Sequence, residues 1–262
     1  MNQHKARKRF GQNFLTDQSI IDRIVLSIHP QIEDNLVEIG PGLGALTCPL
    51  MDITGKLDVI ELDRDIIPKL QFNCGLKGQL SIHNVDVLKF DFASLLQDQT
   101  DKLRIVGNLP YNISTPIIFH LAEYADIITD MYFMLQKEVV ERLAAKAGDS
   151  DYSRLSVMSQ FHFNVTPLFL VPPEAFSPRP KVDSAIVKLK PHSQPLVDVG
   201  EPEFFSHLVK QAFSQRRKTL RNTLKNLTTD SQLEQVNIDP GQRAQEITLQ
   251  QYADLSRLLQ QE

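Results

Sequence analysis

The stretch Leu36-Val37-Glu38-Ile39-Gly40-Pro41-Gly42-Leu43-Gly44 decides the fold of this chain. Its first four residues predict a short buried strand, and its three glycines predict a tight turn that opens a helix. Glycine lets the backbone turn sharply and approach a bound molecule closely, because it has no Cβ. The stretch therefore predicts a strand–turn–helix unit that binds a ligand, with an ordinary tight turn as the alternative.

Strand and helix patterns alternate around this unit. Apolar runs predict strands over 57–62, 80–83, 103–106 and 131–135, and helices over 63–73, 114–124 and 137–146. A helix carrying five apolar residues on one face is expected after Thr16 as its N-cap. Alternation of this kind predicts an α/β fold in which a Rossmann-like parallel sheet is covered on both faces.

The pattern changes in the second half of the chain. Two further strands are predicted over 161–171 and 182–189, separated by a proline-rich segment. We therefore predict a catalytic domain over 1–190, whose residues 1–15 form a basic arm, a linker over 191–203 and a small all-helical domain over 204–262.

Acidic residues follow two of the predicted strands. Glu61 ends one strand, where a carboxylate accepts hydrogen bonds from ribose hydroxyls, and Asp86 follows the next strand, where it can accept from an adenine amine or cap a loop. With the glycine turn, they fall at the carboxyl ends of successive strands, the edge at which open α/β sheets bind ligands. This placement predicts a nucleoside cofactor. A dinucleotide stays open, since Gly40-x-Gly42-x-x-Ala45 also fits the dinucleotide fingerprint.

The segment Asn108-Leu109-Pro110-Tyr111 resembles the motif of enzymes that methylate exocyclic amines of nucleobases. An exocyclic adenine amine is a poor nucleophile, because its lone pair is delocalised into the ring. If the Asn108 side-chain oxygen and the Leu109 carbonyl accept its two N–H groups, the lone pair turns toward a methyl donor. Pro110 stiffens the turn, and Tyr111 offers a ring on which an extruded base stacks, at about 1–3 kcal/mol per base. Such catalysis rests on orientation and needs no metal. The alternative is an ordinary proline turn.

The cysteines and histidines limit the kinds of metal site and the cellular environment that we expect for this chain. Cys48 and Cys74 are too few for a disulfide framework or a Cys-rich zinc site, and they indicate a reducing, cytoplasmic environment. The seven histidines show no metal-ligand spacing. Two stretches without charged residues, 105–122 and 155–173, contain prolines and polar side chains, so we predict no membrane span.

Basic residues are concentrated near the C-terminal end, although the net charge is −4. Residues 204–229 contain six Lys or Arg and no acid. On one continuous helix, Val209, Phe213, Leu220, Leu224 and Leu227 would share a side. Basic side chains would gather on the flank, and we predict phosphate contacts from Arg217, Lys218, Arg221 and Lys225. A solvated charged face is the alternative. Arg216 falls among the apolar positions, so it is either a buried partner or a sign that the helix breaks near Ser214-Gln215.

These motifs resemble those of the ribosomal RNA adenine N6-dimethyltransferases, and more closely the bacterial branch that acts on 16S rRNA and is linked to kasugamycin sensitivity. The likeness runs from about Arg7 to Leu255. Its most specific parts are Arg-Lys-Arg-Phe-Gly-Gln-Asn-Phe-Leu at 7–15, Asn-Leu-Pro-Tyr-Asn-Ile-Ser at 108–114, Phe-Ser-Pro-Arg-Pro-Lys-Val-Asp-Ser-Ala at 176–185 and Gln-Arg-Arg-Lys-Thr-Leu-Arg-Asn at 215–222.

The resemblance implies a seven-stranded class I methyltransferase sheet and S-adenosylmethionine as the cofactor. The candidate cofactor contacts are Gln12, Asn13, Leu15, Gly40, Gly42, Glu61, Asp86 and Asn108. Phe176 would clamp the target adenine opposite Tyr111. The resemblance also implies two methyls on each of two neighbouring adenines in a 3′-terminal hairpin of 16S rRNA. The substrate would be the immature small subunit, and we expect a cytoplasmic monomer.

Three other functions are possible alternatives to small-subunit methylation, and particular segments of the sequence argue against each. A sibling enzyme would methylate large-subunit rRNA and confer macrolide resistance, but the basic segment and the target-base segment favour the small-subunit enzyme. A non-catalytic RNA-binding assembly factor would not need the intact Asn108-Leu109-Pro110-Tyr111 segment. A nicotinamide dehydrogenase would leave that segment and the basic residues unexplained.

Overall fold

A seven-stranded β-sheet is the main element of the fold, and a two-stranded sheet accompanies it. The computed structural model describes residues 13–96, 98 and 101–261. Its strands are β1 (Phe14–Leu15), β2 (Asn35–Ile39), β3 (Lys56–Ile60), β4 (Gln79–His83), β5 (Leu103–Asn108), β6 (Ile128–Gln136), β7 (Phe163–Val171), β8 (Phe176–Ser177) and β9 (Ser184–Pro191). Its helices are α1 (Gln18–Ile28), α2 (Thr47–Thr54), α3 (Ile67–Cys74), α4 (Ser114–Ala122), α5 (Lys137–Ala144), α6 (Arg154–His162), α7 (Pro202–Ala212), α8 (Leu220–Thr223), α9 (Asp230–Gln235) and α10 (Leu249–Gln260).

The strands of the large sheet follow the order β4–β3–β2–β5–β6–β9–β7. The pairs from β4 to β6 are parallel, and β9 runs antiparallel to β6. Parallel neighbours need crossover connections, and α2, α3 and α4 lie in these connections. The predicted class I methyltransferase sheet is confirmed, and the carboxyl ends of β2, β3, β4 and β5 meet at one edge.

Helix α1 begins one residue later than the sequence predicted. The Asp17 carboxylate, not the Thr16 hydroxyl, accepts a hydrogen bond from the backbone N–H of Ile20 and caps the helix. Thr16 instead donates its backbone N–H and its hydroxyl to the carbonyl of Ala175. The prediction of a Thr16 cap was wrong, because this long-range contact takes up the side chain.

Cys48 and Cys74 form a disulfide that joins α2 to the end of α3. Their Cα atoms lie 5.0 Å apart, although 26 positions separate them in the sequence. Two cysteines cannot build a framework of several bridges, but the sequence argument did not predict this single bridge. Pairing depends on how close two helices pack, which residue counts do not reveal. The inference of a reducing environment rested on the same two residues and therefore loses that support.

The described residues divide into two compact units. One comprises the residues up to Val140 with Thr166–Pro191, and the other comprises Glu141–Val165 with the residues from His192 onward. The division at Pro191 falls at the start of the predicted linker. Residues 141–165, which we had assigned to the first domain, cluster with the second unit, and nothing in their sequence pattern signalled this.

The second unit does not contain the long helix expected over 209–227. Helix α7 ends at Ala212, and the next helix, α8, covers only Leu220–Thr223. The chain breaks because the N–H groups of Leu220 and Arg221 bond to the carbonyls of Gln242 and Pro240 instead of continuing a helical ladder. The break near Ser214-Gln215 is confirmed, and the arrangement of basic residues along one helix flank was wrong.

Candidate active site

The loop after β2 turns through three glycines in left-handed conformation, with φ of 69° at Gly40, 55° at Gly42 and 96° at Gly44. A Cβ at Gly44 would lie 2.5 Å from the Sγ of Cys74, so no larger residue fits there without displacing the bridge. A Cβ at Gly42 would lie 3.2 Å from the ring of Phe14. The loop therefore offers bare backbone to a ligand, with the Phe14 ring beside it.

Glu61 and Asp86 lie where the sequence predicted, after β3 and after β4. One carboxylate oxygen of Glu61 accepts the backbone N–H of Asp63 at 2.7 Å, which fixes the side chain. Burial raises the pKa of Glu61, although hydrogen bonds from backbone N–H groups, Gly42 among them, oppose the shift. Asp86 accepts the N–H of Leu88 at 3.1 Å and caps a short 3₁₀ turn. Asp86 thus acts as a loop cap and lines the cavity as well.

Glu38 is a site residue for which sequence reasoning gave no role. Its side chain is buried and accepts the Thr47 hydroxyl at 2.6 Å. Burial raises the pKa of Glu38 to about 7, and the nearby Glu61 carboxylate contributes to the rise. An acid two residues before the first glycine of the turn was the signal that could have marked it. Glu38 and Glu61 together line the cavity with acidic groups.

The Asn108–Tyr111 segment leaves the carboxyl end of β5. The Asn108 amide donates from Nδ2 to the backbone carbonyl of Asn13 at 3.1 Å. Since a carbonyl only accepts, this contact orients the amide and leaves Oδ1 as the free acceptor. The N–H of Leu109 donates to the carbonyl of Met134 at 3.2 Å, which ties the loop to β6. Within the described ranges, neither Asn108 Oδ1 nor the Leu109 carbonyl accepts a hydrogen bond.

Tyr111 is partly buried, and its hydroxyl lies 2.7 Å from the hydroxyl of Ser184. Burial raises the pKa of Tyr111, so the phenol stays protonated at neutral pH. The ring lines the cavity beside Pro110. Sequence reasoning assigned a role to the ring alone and missed the hydroxyl's partner.

Phe176 lies in β8, which pairs antiparallel with β1 so that Leu15 faces Phe176 in the register. The Phe176 side chain is only 5% exposed and belongs to the apolar core. The residues that line the cavity do not include it. The structure therefore brings Phe176 close to the N-terminal strand, and its role opposite Tyr111 stays a prediction.

A cavity of about 790 Å³ joins these groups at the carboxyl edge of the sheet. It is lined by Asn13, Leu15, Gly40, Gly42, Glu61, Asp86, Asn108, Leu109, Pro110 and Tyr111 from the predicted set, together with Phe14, Glu38 and Leu88. Gln12, the remaining predicted cofactor contact, lies outside the described residues. Ten of the predicted residues thus meet in one cavity, although they come from five separate segments of the chain.

The predicted RNA-binding residues belong to the second unit and differ in their partners. The Arg221 guanidinium donates to both carboxylate oxygens of Asp230, at 3.1 and 2.8 Å. Arg217, Lys218 and Lys225 are exposed and form no ion pair with any residue that the structure describes. Arg216 is exposed rather than buried and donates to the carbonyl of Ser150 at 3.1 Å. Three of the four predicted cations are therefore free to meet phosphates.

No helix within the described ranges has the length and apolarity needed to span a bilayer. The same residues contain no group of three or more His, Cys, Asp or Glu that could hold a metal ion.

The parallel sheet, the glycine turn after β2 and the acids after β3 and β4 define a class I methyltransferase. The Asn-Leu-Pro-Tyr loop follows at the end of β5, and its role toward a nucleobase amine stays a prediction. This chain belongs to the ribosomal RNA adenine dimethylase family, whose profile matches residues 3–261.

The relatives agree with this assignment. Ribosomal RNA small subunit methyltransferase A of Saccharophagus degradans is 56% identical over 99% of this chain and 96% of its own length. The protein of the same name from Pseudomonas aeruginosa is 54% identical over 98% of this chain and 96% of its own. Among solved structures, a dimethyladenosine transferase from Plasmodium falciparum matches with a TM-score of 0.78 at 28% identity, covering 92% of this chain and 95% of the other. The 23S rRNA methyltransferase ErmE matches with a TM-score of 0.71 at 25% identity, covering 95% of this chain and all (100%) of the other.

Proposed function

We propose that this protein transfers methyl groups from S-adenosylmethionine to the N6 amine of adenines in small-subunit ribosomal RNA, giving N6-dimethyladenosine. Family membership supports the adenine reaction, and the names of the relatives at 56% and 54% identity support the small subunit as substrate. The observation that carries the proposal is the pair of free acceptors, Asn108 Oδ1 and the Leu109 carbonyl, at the cavity.

The cavity suits S-adenosylmethionine. Its volume of about 790 Å³ falls within the usual range for small-molecule sites. The left-handed glycines allow close approach of the backbone, the Glu61 carboxylate suits a ribose hydroxyl, and Asp86 suits an adenine edge. Asn13 and Leu15 would complete the contacts from the N-terminal side. When bound, the cofactor supplies a methyl group that its sulfonium already activates.

The residues of the loop orient the target amine. Asn108 Oδ1 accepts one N–H of the amine and the Leu109 carbonyl accepts the other, so the nitrogen lone pair points away from both. Because the Asn13 and Met134 contacts already hold these acceptors, little reorganisation is needed when the base arrives. The contribution of the protein is therefore positioning for in-line transfer.

Stacking of the target base rests on Tyr111, whose ring lines the cavity. Phe176 is buried against the core. Its clamp role opposite Tyr111 stays part of this proposal, because its segment resembles the target-base segment of the family. An extruded adenine gains about 1–3 kcal/mol from stacking on one aromatic ring.

Arg217, Lys218 and Lys225 provide the phosphate contacts in this proposal, since each is exposed and unpaired within the described residues. Arg221 contributes less, because binding a phosphate means giving up its bonds to Asp230. The finer parts of the proposal are two neighbouring adenines of a 3′-terminal 16S hairpin as targets and the immature small subunit as the particle bound. The protein would act as a cytoplasmic monomer.

Methylation of large-subunit rRNA is the second candidate, since the fold also matches ErmE. The deciding experiment supplies purified protein and methyl-labelled S-adenosylmethionine to immature small and large subunits in parallel. We expect label in 16S rRNA alone, as N6-dimethyladenosine, and about ten- to a hundredfold slower labelling with the Asn108→Ala variant. Label in 23S rRNA would overturn the substrate, and label in neither particle would overturn the activity.

A further inference from the structure

The hydroxyl of Tyr111 has a partner that no substrate contact explains. Ser184 is the first residue of β9, and its side chain is completely buried, at 0% exposure. Its hydroxyl lies 2.7 Å from the phenol oxygen, and among the described residues this is the only side-chain hydrogen bond that either hydroxyl makes. A buried serine with a single partner ties the two side chains together.

Strand β6 fixes both ends of this contact. Gln136 of β6 pairs with Ser184, and Met134, two residues earlier, pairs with Asn108 and accepts the N–H of Leu109 at 3.2 Å. The catalytic loop and the start of β9 are therefore held by neighbouring residues of one buried strand. The Tyr111–Ser184 bond extends this rigid frame to the phenol ring.

We propose that Ser184 is a positioning residue for methyl transfer, because it holds the Tyr111 ring in the orientation on which the target adenine stacks. The inference rests on the proposed function, in which Tyr111 stacks on the base. A phenol without its partner can turn about its side-chain torsions and must be ordered again at each encounter with a base. Ser184 does not line the cavity, so it acts through Tyr111 and not on the cofactor.

The burial of the two hydroxyls differs, which allows a sharp test. Tyr111→Phe leaves the buried Ser184 hydroxyl without a partner, whereas Ser184→Ala leaves a phenol that is only partly buried and can bond to water. The double variant Tyr111→Phe/Ser184→Ala removes both groups. Loss of both partners is close to neutral for stability, so the double variant should regain the melting temperature that Tyr111→Phe loses.

The test compares melting temperature, cofactor affinity and single-turnover methylation of immature small subunits. We expect Ser184→Ala and the double variant to methylate about tenfold more slowly, because each loses part of the stacking free energy. Their calorimetric affinity for S-adenosylmethionine should be unchanged. Ser184→Thr keeps the hydroxyl and should restore the rate. If the double variant regains both stability and the wild-type rate, Ser184 is structural only and the proposal is overturned. If the wild-type protein itself methylates no adenine, the proposed function fails instead, and the two failures are distinguishable.

Discussion

Replacing Asn108 with alanine removes a donor from the fold and an acceptor from the reaction. The donor contact, from Nδ2 to the Asn13 carbonyl at 3.1 Å, is a neutral hydrogen bond whose loss costs about 0.5–1.5 kcal/mol of folding stability. The acceptor matters more, because the amine gains positive charge as it attacks the methyl group. A hydrogen bond to a charged group contributes about 1.5–3 kcal/mol, so the rate should fall about ten- to a hundredfold.

The assay is single-turnover methyl transfer to immature small subunits with the enzyme in excess, alongside calorimetry of S-adenosylmethionine binding. The rate should fall much more than the affinity, because the acceptor acts chiefly in the transition state. Asn112→Ala is the matched control, since Asn112 is an exposed amide of the same loop that also lines the cavity and has no side-chain hydrogen bond in the described part of the chain. A rate within about twofold of wild type for a folded Asn108→Ala variant, below the smallest loss expected for the acceptor, would refute the catalytic role.

Three further changes test the rest of the site. Glu61→Ala should weaken S-adenosylmethionine binding by about 1.5–3 kcal/mol, and unchanged calorimetric affinity in a folded variant would remove Glu61 from the site. Burial raises the pKa of Glu38 from 4.5 to about 7, so the folded protein holds a proton that the unfolded chain releases. Stability without cofactor should therefore fall as the pH rises through that window, and thermal melts of Glu38→Gln should show a flatter pH dependence; an equal slope in both proteins contradicts this. Reversing Arg217, Lys218 and Lys225 to Glu should abolish tight binding to pre-ribosomal particles and leave cofactor affinity unchanged, and a single alanine should lower the salt slope by about one. Reversal of the exposed Lys89 and Lys190 is the control. If the triple variant binds normally at moderate salt, Arg217, Lys218 and Lys225 form only a solvated charged surface.

The sequence predicted the cavity well, because its residues lie at fixed places relative to strand ends. Glu61, Asp86 and Asn108 each fall at or just after the carboxyl end of a strand, and a parallel sheet brings those ends to one edge whatever the intervening loops do. Glycine spacing at Gly40 and Gly42 has the same local origin. Local patterns therefore sufficed to predict that these residues line one cavity.

The sequence did not predict contacts that depend on distant pairing. Phe176 is buried because β8 pairs with β1, more than 150 positions earlier, and Ser184 meets Tyr111 through β6. The helix over 209–227 breaks because its backbone bonds to residues 240–243, a pairing that helical periodicity cannot reveal. The Cys48–Cys74 bridge likewise depends on how α2 packs on α3.

The most direct test of the central claim is nucleoside mass analysis of both rRNAs after reaction of the wild-type protein with immature subunits and S-adenosylmethionine. If the free acceptors at Asn108 and Leu109 orient an adenine amine, N6-dimethyladenosine should form in 16S rRNA and not in 23S rRNA. Unmodified adenine in 16S rRNA, or the modified nucleoside in 23S rRNA instead, would contradict the account.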